Sequence, residues 1–356
     1  MPEFLATGKR LWNLSPFIVY LLATVTGIRI KYLRRLSFEI ILPEYSEESC
    51  GRVESTGEQQ CNNEAFTQAI TDLFSLVRKW EDAQLNGAYS PTDRRDPNQV
   101  RLEMAQRKRG LDIFGKRWVN SYLHLSRPEM IPTLSSIVFL RLQGHISRKV
   151  APVVGPGLAT VLPNLRSFYW EFGEVDDEPI NVESRASFAR MLKQTKLDKC
   201  SAAEISFNQD SAEDHRVAEP LRIPIGAPYD PFSASLSIFS QNLTSLVLDG
   251  YVDSTLFWPS SLETSSTPSW PNLRKLKVFF NMAAPSGEWY FDGTPGEIVE
   301  QFRDHEDAKT LDPFITAVAK AVQKMPVLEE FLLETELGYG IGYWEVSYYA
   351  PGIKAD

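Results

Sequence analysis

Residues Trp270 to Phe280 read WPNLRKLKVFF. Pro271 and Asn272 are turn formers, and behind them Leu273, Leu276 and Val278 take the first, fourth and sixth places of a hexad with Lys275 and Lys277 between. Apolar and polar residues alternating with a period of two mark a strand with one buried face. The hexad recurs as LRRLSF from Leu33, LSSIVF from Leu134, LRSFYW from Leu165, LTSLVL from Leu243 and LEEFLL from Leu328, with a weaker AAEISF from Ala202. Pro-Asn-Leu leads in at Leu165 as at Leu273, Gln-Asn-Leu at Leu243 and Met-Pro-Val-Leu at Leu328, which predicts a turn immediately before each of these strands.

A strand with one apolar face cannot stand alone. A helix returning over that face covers it and lets the next strand pair parallel to the last. The expected fold is therefore α/β: an irregular leucine-rich-repeat-like solenoid with a parallel sheet on one face and helices on the other. The hexad starts are too far apart for ordinary leucine-rich repeats of about 20–29 residues, and only Asn281 completes the Asn-terminated ladder of that motif.

Helical returns are legible between the hexads. In DPFITAVAKAVQKMP, Asp312 is the expected N-cap and Pro313 the first helical position, with Phe314, Ile315, Val318, Ala319 and Val322 as the apolar stripe and Pro326 as the stop. SFARMLKQTKL offers Phe188, Met191 and Leu192 to the sheet. In NNEAFTQAITDLFSLVRKWED, Phe66, Ala69, Ile70, Leu73, Phe74, Val77 and Trp80 share one side. A second helix is expected over 98–123, so the solenoid of residues 31–356 carries a helical insertion at about 62–123, and residues 1–30 form an N-terminal cap or a remnant of another element. NGAYSPTDRRDPN (Asn86–Asn98), SSLETSSTPSW (Ser260–Trp270) and the acidic EFGEVDDEP (Glu171–Pro179) read as exposed loops.

With 37 Lys+Arg against 46 Asp+Glu the chain carries a formal charge of −9, the wrong sign for nucleic acid as principal ligand. The apolar run LSPFIVYLLATVTGI (Leu14–Ile28) is shorter than the about 20 residues a spanning helix needs, so no membrane partner is expected. Lys9 and Arg10 ahead of it imitate a signal peptide, without a clean cleavage site before Arg29 and Lys31. Three cysteines, Cys50, Cys61 and Cys200, are too few for a disulfide framework and favour free thiols in a reducing compartment, cytoplasmic or nuclear.

No motif with its own chemistry is present, so no catalytic residue, metal ligand or cofactor is expected. His124, His145, His215 and His305 are dispersed and read as surface or capping residues; phosphate-loop and nucleophile-elbow patterns are absent. Gly338-Tyr-Gly-Ile-Gly342 reads as a tight turn exposing Tyr343 and Trp344. The basic cluster Arg107, Lys108, Arg109, Lys116 and Arg117 reads as a solvated helix face, and Asp176, Asp177 and Glu178 as a hydrated loop. Trp289-Tyr-Phe-Asp-Gly293 either anchors a partner or packs against a loop.

What remains is the sheet face opposite the helices. Its row contains Arg35 and Ser37, Ser136 and Val138, Ser167 and Tyr169, Glu204 and Ser206, Ser245 and Val247, Lys275 and Lys277, and Glu330 and Leu332. Mixed polarity over so broad a face suits recognition of a protein better than of a small molecule. The candidate partner-binding residues are Arg35, Ser37, Ser167, Tyr169, Glu204, Ser245, Lys275, Lys277 and Glu330.

YLRRLSFEI from Tyr32, LPNLRSFYW from Leu162, WPNLRKLKVFF from Trp270 with PSGEWYFDG from Pro285, and MPVLEEFLL from Met325 together resemble the F-box proteins of filamentous fungi with irregular leucine-rich-repeat-like C-terminal regions. LATGKRLWNLSPFIVY, from Leu5 to Tyr20, is similar to the closing part of an F-box, whose opening Leu-Pro-x-Glu half is missing here. The resemblance implies the substrate-recognition subunit of a Skp1–cullin–F-box ubiquitin ligase, non-catalytic, with Lys9, Arg10, Leu11 and Leu14 as the remnant facing a Skp1-type adaptor. The alternative it leaves is a stand-alone binding protein without the adaptor, or a secreted one.

Overall fold

The hexads become strands because their fourth- and sixth-place side chains find cover on the same side. The computed structural model describes residues 5–6, 35–43, 49, 51–83, 98–105, 117–144, 148–208, 215, 219–258, 267–293, 303–337 and 342–351. They form a mixed α/β, mainly parallel arrangement in two compact units, residues 1–177 with 195–199 and residues 178–194 with 200–356.

In the first unit β1 (Leu5–Ala6), β2 (Arg35–Ile41), β3 (Asn98–Ala105), β4 (Ile137–Gln143) and β5 (Ser167–Gly173) pair in chain order, all parallel. Leu36 and Phe38, Leu140 and Leu142, and Phe168 and Trp170 are buried. Two expectations fail. Residues 98–105 are a strand between β2 and β4, not the start of a helix, and 117–123 are turns and irregular chain. The alternation Val100, Leu102, Met104 matches the neighbouring strands residue for residue, and a parallel slot with partners on both edges overrides weak helical spacing. The hexad of β4 is also displaced by three residues: Leu140 pairs with Phe168 and Leu142 with Trp170. The repeating unit is therefore IVFLRL from Ile137 rather than LSSIVF from Leu134.

Helix α1 (Thr56–Ala83) buries every residue of its expected stripe and starts ahead of the 62–123 insertion drawn from the sequence. Its start is a reciprocal cap: the Ser55 N–H donates to Glu58 Oε2 at 2.9 Å and the Glu58 N–H to Ser55 Oγ at 3.4 Å. The Ser55 hydroxyl and N–H, with Arg117 and Arg52, hold the Glu58 carboxyl well below its usual range. Just upstream, the fully buried Glu54 side chain meets Arg148 Nη2 at 2.7 Å and Ser121 Oγ at 2.6 Å, and this ties the helix start to two distant loops. At the far end of α1, Glu81 accepts from the Ser136 N–H at 2.6 Å. Helix α2 (Val154–Ala159) lies so close to β5 that a Cβ on Gly155 would sit 2.7 Å from the Trp170 ring.

In the second unit β6 (Ala202–Asn208), β7 (Ser245–Gly250) and β8 (Lys275–Phe280) pair in parallel. A small antiparallel pair, β9 (Phe291–Asp292) with β10 (His305–Glu306), follows. β11 (Glu330–Glu336) then joins β8 in parallel, and β12 (Tyr343–Tyr349) pairs antiparallel with β11 at the edge. The expected lead-in turns form: the N–H of Leu243 donates to Ser240 O and that of Leu328 to Met325 O, as Leu165 does to Leu162 O in the first unit.

The second unit's helices are α3 (Glu178–Gln194), α4 (Pro231–Ser240) and α5 (Leu311–Val322). Phe188 of α3, Phe232 of α4 and Phe207 of β6 pack together, with ring centroids 4.8–5.9 Å apart. Because α3 begins at Glu178 and β5 runs to Gly173, the acidic loop shrinks to residues 174–177 and Glu171 is buried in the strand. Met191 is half-buried rather than core. α5 starts at Leu311 after Thr310, whose hydroxyl donates to Trp289 O at 2.6 Å; Asp312 lies in the first turn, not at the cap. Leu311, Phe314, Ala317, Val318 and Ala321 form its buried stripe, while Ala319 and Val322 face outward.

A polar node organises the second unit. Asp230 caps α4 by accepting from the Phe232 and Ser233 N–H groups. Its Oδ2 also meets Arg185 Nη2 at 2.8 Å, and all these groups are buried. Arg185 lies 4.3 Å from the Phe232 ring centroid. Asp253 accepts from the Asp230 N–H and caps the turn Ser254–Leu256 through Thr255. Burial, with the neighbouring Asp230 charge, pushes the Asp253 carboxyl from 3.8 up to about 6.

Replacing Asp230 with Ala strands a buried guanidinium and uncaps α4; urea unfolding at neutral pH is expected to show a loss of about 3–5 kcal/mol. Asp253 has the opposite sign from a salt-bridged carboxylate. Between pH 4 and 6 the unfolded chain has released its proton and the native state has not, so the Asp253 contribution to stability falls as pH rises through that window. The stability difference between wild type and Asp253→Asn should shift toward the variant from pH 4 to 6.5, and parallel curves would refute the assignment.

Candidate functional site

Strand pairing sorts the face opposite the helices into transverse rows. In the first unit, register places Arg35, Gln99, Phe139 and Ser167 in one row and Ser37, Arg101, Arg141 and Tyr169 in the next. The four sequence-derived residues Arg35, Ser37, Ser167 and Tyr169 thus share two adjacent rows. Ser37, Ser167 and Tyr169 are half-buried; the Arg35 side chain lies outside the described residues. Arg141 stacks 4.3 Å from the Tyr169 ring centroid, and in the following row Gln143 Nε2 donates to Glu171 Oε2 at 2.6 Å.

Ser136 and Val138 do not belong to these rows, since the three-residue displacement of β4 puts Phe139 and Arg141 there instead. Ser136 is held by Glu81. The signal for Phe139 and Arg141 was present in the sequence as a second overlapping alternation, Leu140 and Leu142, continuing beyond LSSIVF.

In the second unit the rows are Ala202, Ser245, Lys275 and Glu330, then Glu204, Val247, Lys277 and Leu332, then Ser206, Asp249, Phe279 and Glu334. The remaining candidates, Glu204, Ser245, Lys275, Lys277 and Glu330, occupy the first two rows. Glu330 sits between two ammonium groups, 3.1 Å from Lys275 Nζ and 2.6 Å from Lys277 Nζ. Burial alone would raise its carboxyl, but the two lysines more than offset that and hold it below the usual carboxylate value. One row further, Ser206 Oγ donates to Asp249 Oδ2 at 2.9 Å. Glu334 is raised, by burial and then by Glu345 directly across from it on β12.

The other candidate groups resolve into packing. His215 is buried rather than a surface residue: its Nδ1 accepts from the Arg303 N–H at 3.0 Å, and its ring tilts against Trp289. His124 and His305 are exposed, and His145 lies outside the described residues. Tyr290 and Phe291 are core residues, so WYFDG packs inward. Arg117 is buried against Glu58 and Ser49 O, not solvated on a helix; Arg107, Lys108, Arg109 and Lys116 lie outside the described residues, as do Lys9, Arg10, Leu11 and Leu14. Tyr343 and Trp344 open β12, with Trp344 half-buried against Phe280 and Phe291. Cys61 and Cys200 are free thiols, and burial pushes Cys200 up to about 12. Among the described residues no His, Cys, Asp and Glu group is arranged to hold a metal ion, and no helix is long and apolar enough to cross a membrane.

The arrangement can present charge and aromatic surface to a partner in fixed rows. Glu330 stabilises the second unit only while ionised: its contribution is complete above about pH 4.5 and disappears as pH falls through its lowered native value. Glu330→Gln is expected to cost about 1–3 kcal/mol at pH 7, and the gap from wild type should close in acid, as read by urea midpoints across pH. No protein-family model, curated protein or solved structure matches the chain.

Proposed function

We propose that the chain is a non-catalytic protein-binding scaffold that uses the open sheet face as its recognition surface. The observation that carries this reading is the row order: in the first unit register places Arg101 and Arg141 in one row and Glu103 and Glu171 in the next, and in the second unit two rows that each hold a lysine and a glutamate (Lys275 with Glu330, Lys277 with Glu204) are followed by a row with Asp249 and Glu334. Charges fixed to a sheet and ordered in rows set orientation and register for a complementary partner. Repeated lead-in turns, each followed by a parallel strand, support an irregular leucine-rich-repeat-like architecture within each unit.

The resemblance to fungal F-box proteins makes this scaffold a substrate-recognition subunit of a Skp1–cullin–F-box ligase, acting in the cytoplasm or nucleus. Lys9, Arg10, Leu11 and Leu14 would meet the adaptor.

Two captures test the reading. The full chain should retain a purified Skp1-type adaptor, and Leu11→Asp with Leu14→Asp should abolish it. A substrate captured at low salt should be lost with Glu204→Arg plus Lys275→Ser, while adaptor binding persists. Substrate capture unaffected by those face substitutions would remove the sheet face from recognition. Absence of adaptor binding would leave a stand-alone binding protein.

A further inference from the structure

The seven residues of β12, Tyr343-Trp-Glu-Val-Ser-Tyr-Tyr349, form an edge strand whose outer side has no partner strand among the described residues. Soluble proteins usually guard such an edge with Lys, Pro, a bulge or a cover. β12 contains neither Lys nor Pro, its register with β11 is unbroken, and its one charge is Glu345. Large apolar side chains are exposed along it: Tyr343 at 66%, Val346 at 42% and Tyr348 at 49%. Val346 and Tyr348 pair across from the buried Leu333 and Phe331, so they lie on the core side of the sheet, where the apolar layer runs out to the edge.

The segment is nearly symmetric about Val346. Set antiparallel against a second copy with the two-fold axis at that residue, Tyr343 falls opposite Tyr349, Trp344 opposite Tyr348, Glu345 opposite Ser347 and Val346 opposite itself. No like charges meet. One side of the new pair is a continuous apolar row of Trp344, Val346 and Tyr348 from both copies, supplying aromatic cross-strand pairs. Parallel addition would oppose Glu345 to Glu345, and a one-residue slip would move the apolar set to the wrong face. We propose that β12 pairs with β12 of a second copy of this chain in this antiparallel register, giving an isologous dimer. A single strand pair is a small interface, so the association is micromolar rather than nanomolar.

Sedimentation equilibrium of the full chain across micromolar concentrations should show a monomer–dimer equilibrium. Val346→Lys, at an exposed position, places two ammonium groups on the axis and should weaken association by about tenfold or more. Ser347→Lys acts in the other direction: it sets Lys opposite Glu345 of the second copy, twice by symmetry, and should tighten the dimer by about three- to tenfold in low salt. A chain that stays monomeric throughout, a dimer indifferent to Val346→Lys, or a dimer weakened by Ser347→Lys overturns the proposal; the last result is what parallel pairing would give. Circular dichroism of both variants separates loss of pairing from loss of fold.

Discussion

Parallel strands can lie side by side only where the same side chain of each repeat points to the same side, and this constraint determines most of what the two units look like. Leu246, Leu276 and Phe331 are register neighbours, as are Leu248, Val278 and Leu333, and all are buried. The constraint acts through the backbone as well. The N–H of Arg274 donates to Thr244 O and that of Glu329 to Arg274 O, so each repeat is anchored to the one before it just ahead of the strand. A slip of one residue would break this ladder and put every apolar side chain on the wrong face.

The same constraint explains what could be read from the sequence. Alternation in LRKLKV, LTSLVL and LRSFYW reports directly on burial, and the opposite face followed from it: Ser167, Tyr169, Ser245, Lys275 and Lys277 fall in the expected rows. The helix stripe from Phe66 to Trp80 was equally plain because seven apolar side chains repeat at helical spacing. β3 was missed because Val100, Leu102 and Met104 are separated by charged residues that helices also favour, and only the slot between β2 and β4 decides the matter. In β4 two overlapping alternations compete, and the one that wins is the one whose pairs with Phe168 and Trp170 are buried.

The polar nodes were invisible in the sequence for a different reason. The Glu54 and Arg148 side chains are both fully buried yet separated by 94 residues of chain, and neither sits in a periodic pattern. Arg185 is one charged residue on a helix with charged neighbours until Asp230 comes to face it. Such pairs contribute little net stability against an apolar replacement, since desolvation takes back most of the attraction. Their structural effect is positional: Glu54 with Arg148 ties the start of α1 to a loop that has no hexad to hold it, and Arg185 with Asp230 ties the middle of α3 to the N-terminus of α4. Hydrogen bonds to Ser121, Ser233 and Tyr251 O take up much of the remaining polar capacity.

Row-wise charge is a consequence of strand direction. When strands run the same way, residues equally far from the lead-in turn fall in one row, so a bias within the repeat becomes a stripe across the sheet. In the second unit the early rows hold Lys275 with Glu330 and Lys277 with Glu204, and the late row collects Asp249 and Glu334. β12 runs the other way and interrupts the pattern. It brings Tyr349 alongside Glu330 and sets Glu345 against Glu334, whose carboxyl is raised by burial and then by the Glu345 charge. Reversal at the last strand therefore ends the charged stripes with an edge of mostly tyrosine, tryptophan and valine. An edge of that composition is poorly suited to a further charged repeat and better suited to an apolar strand.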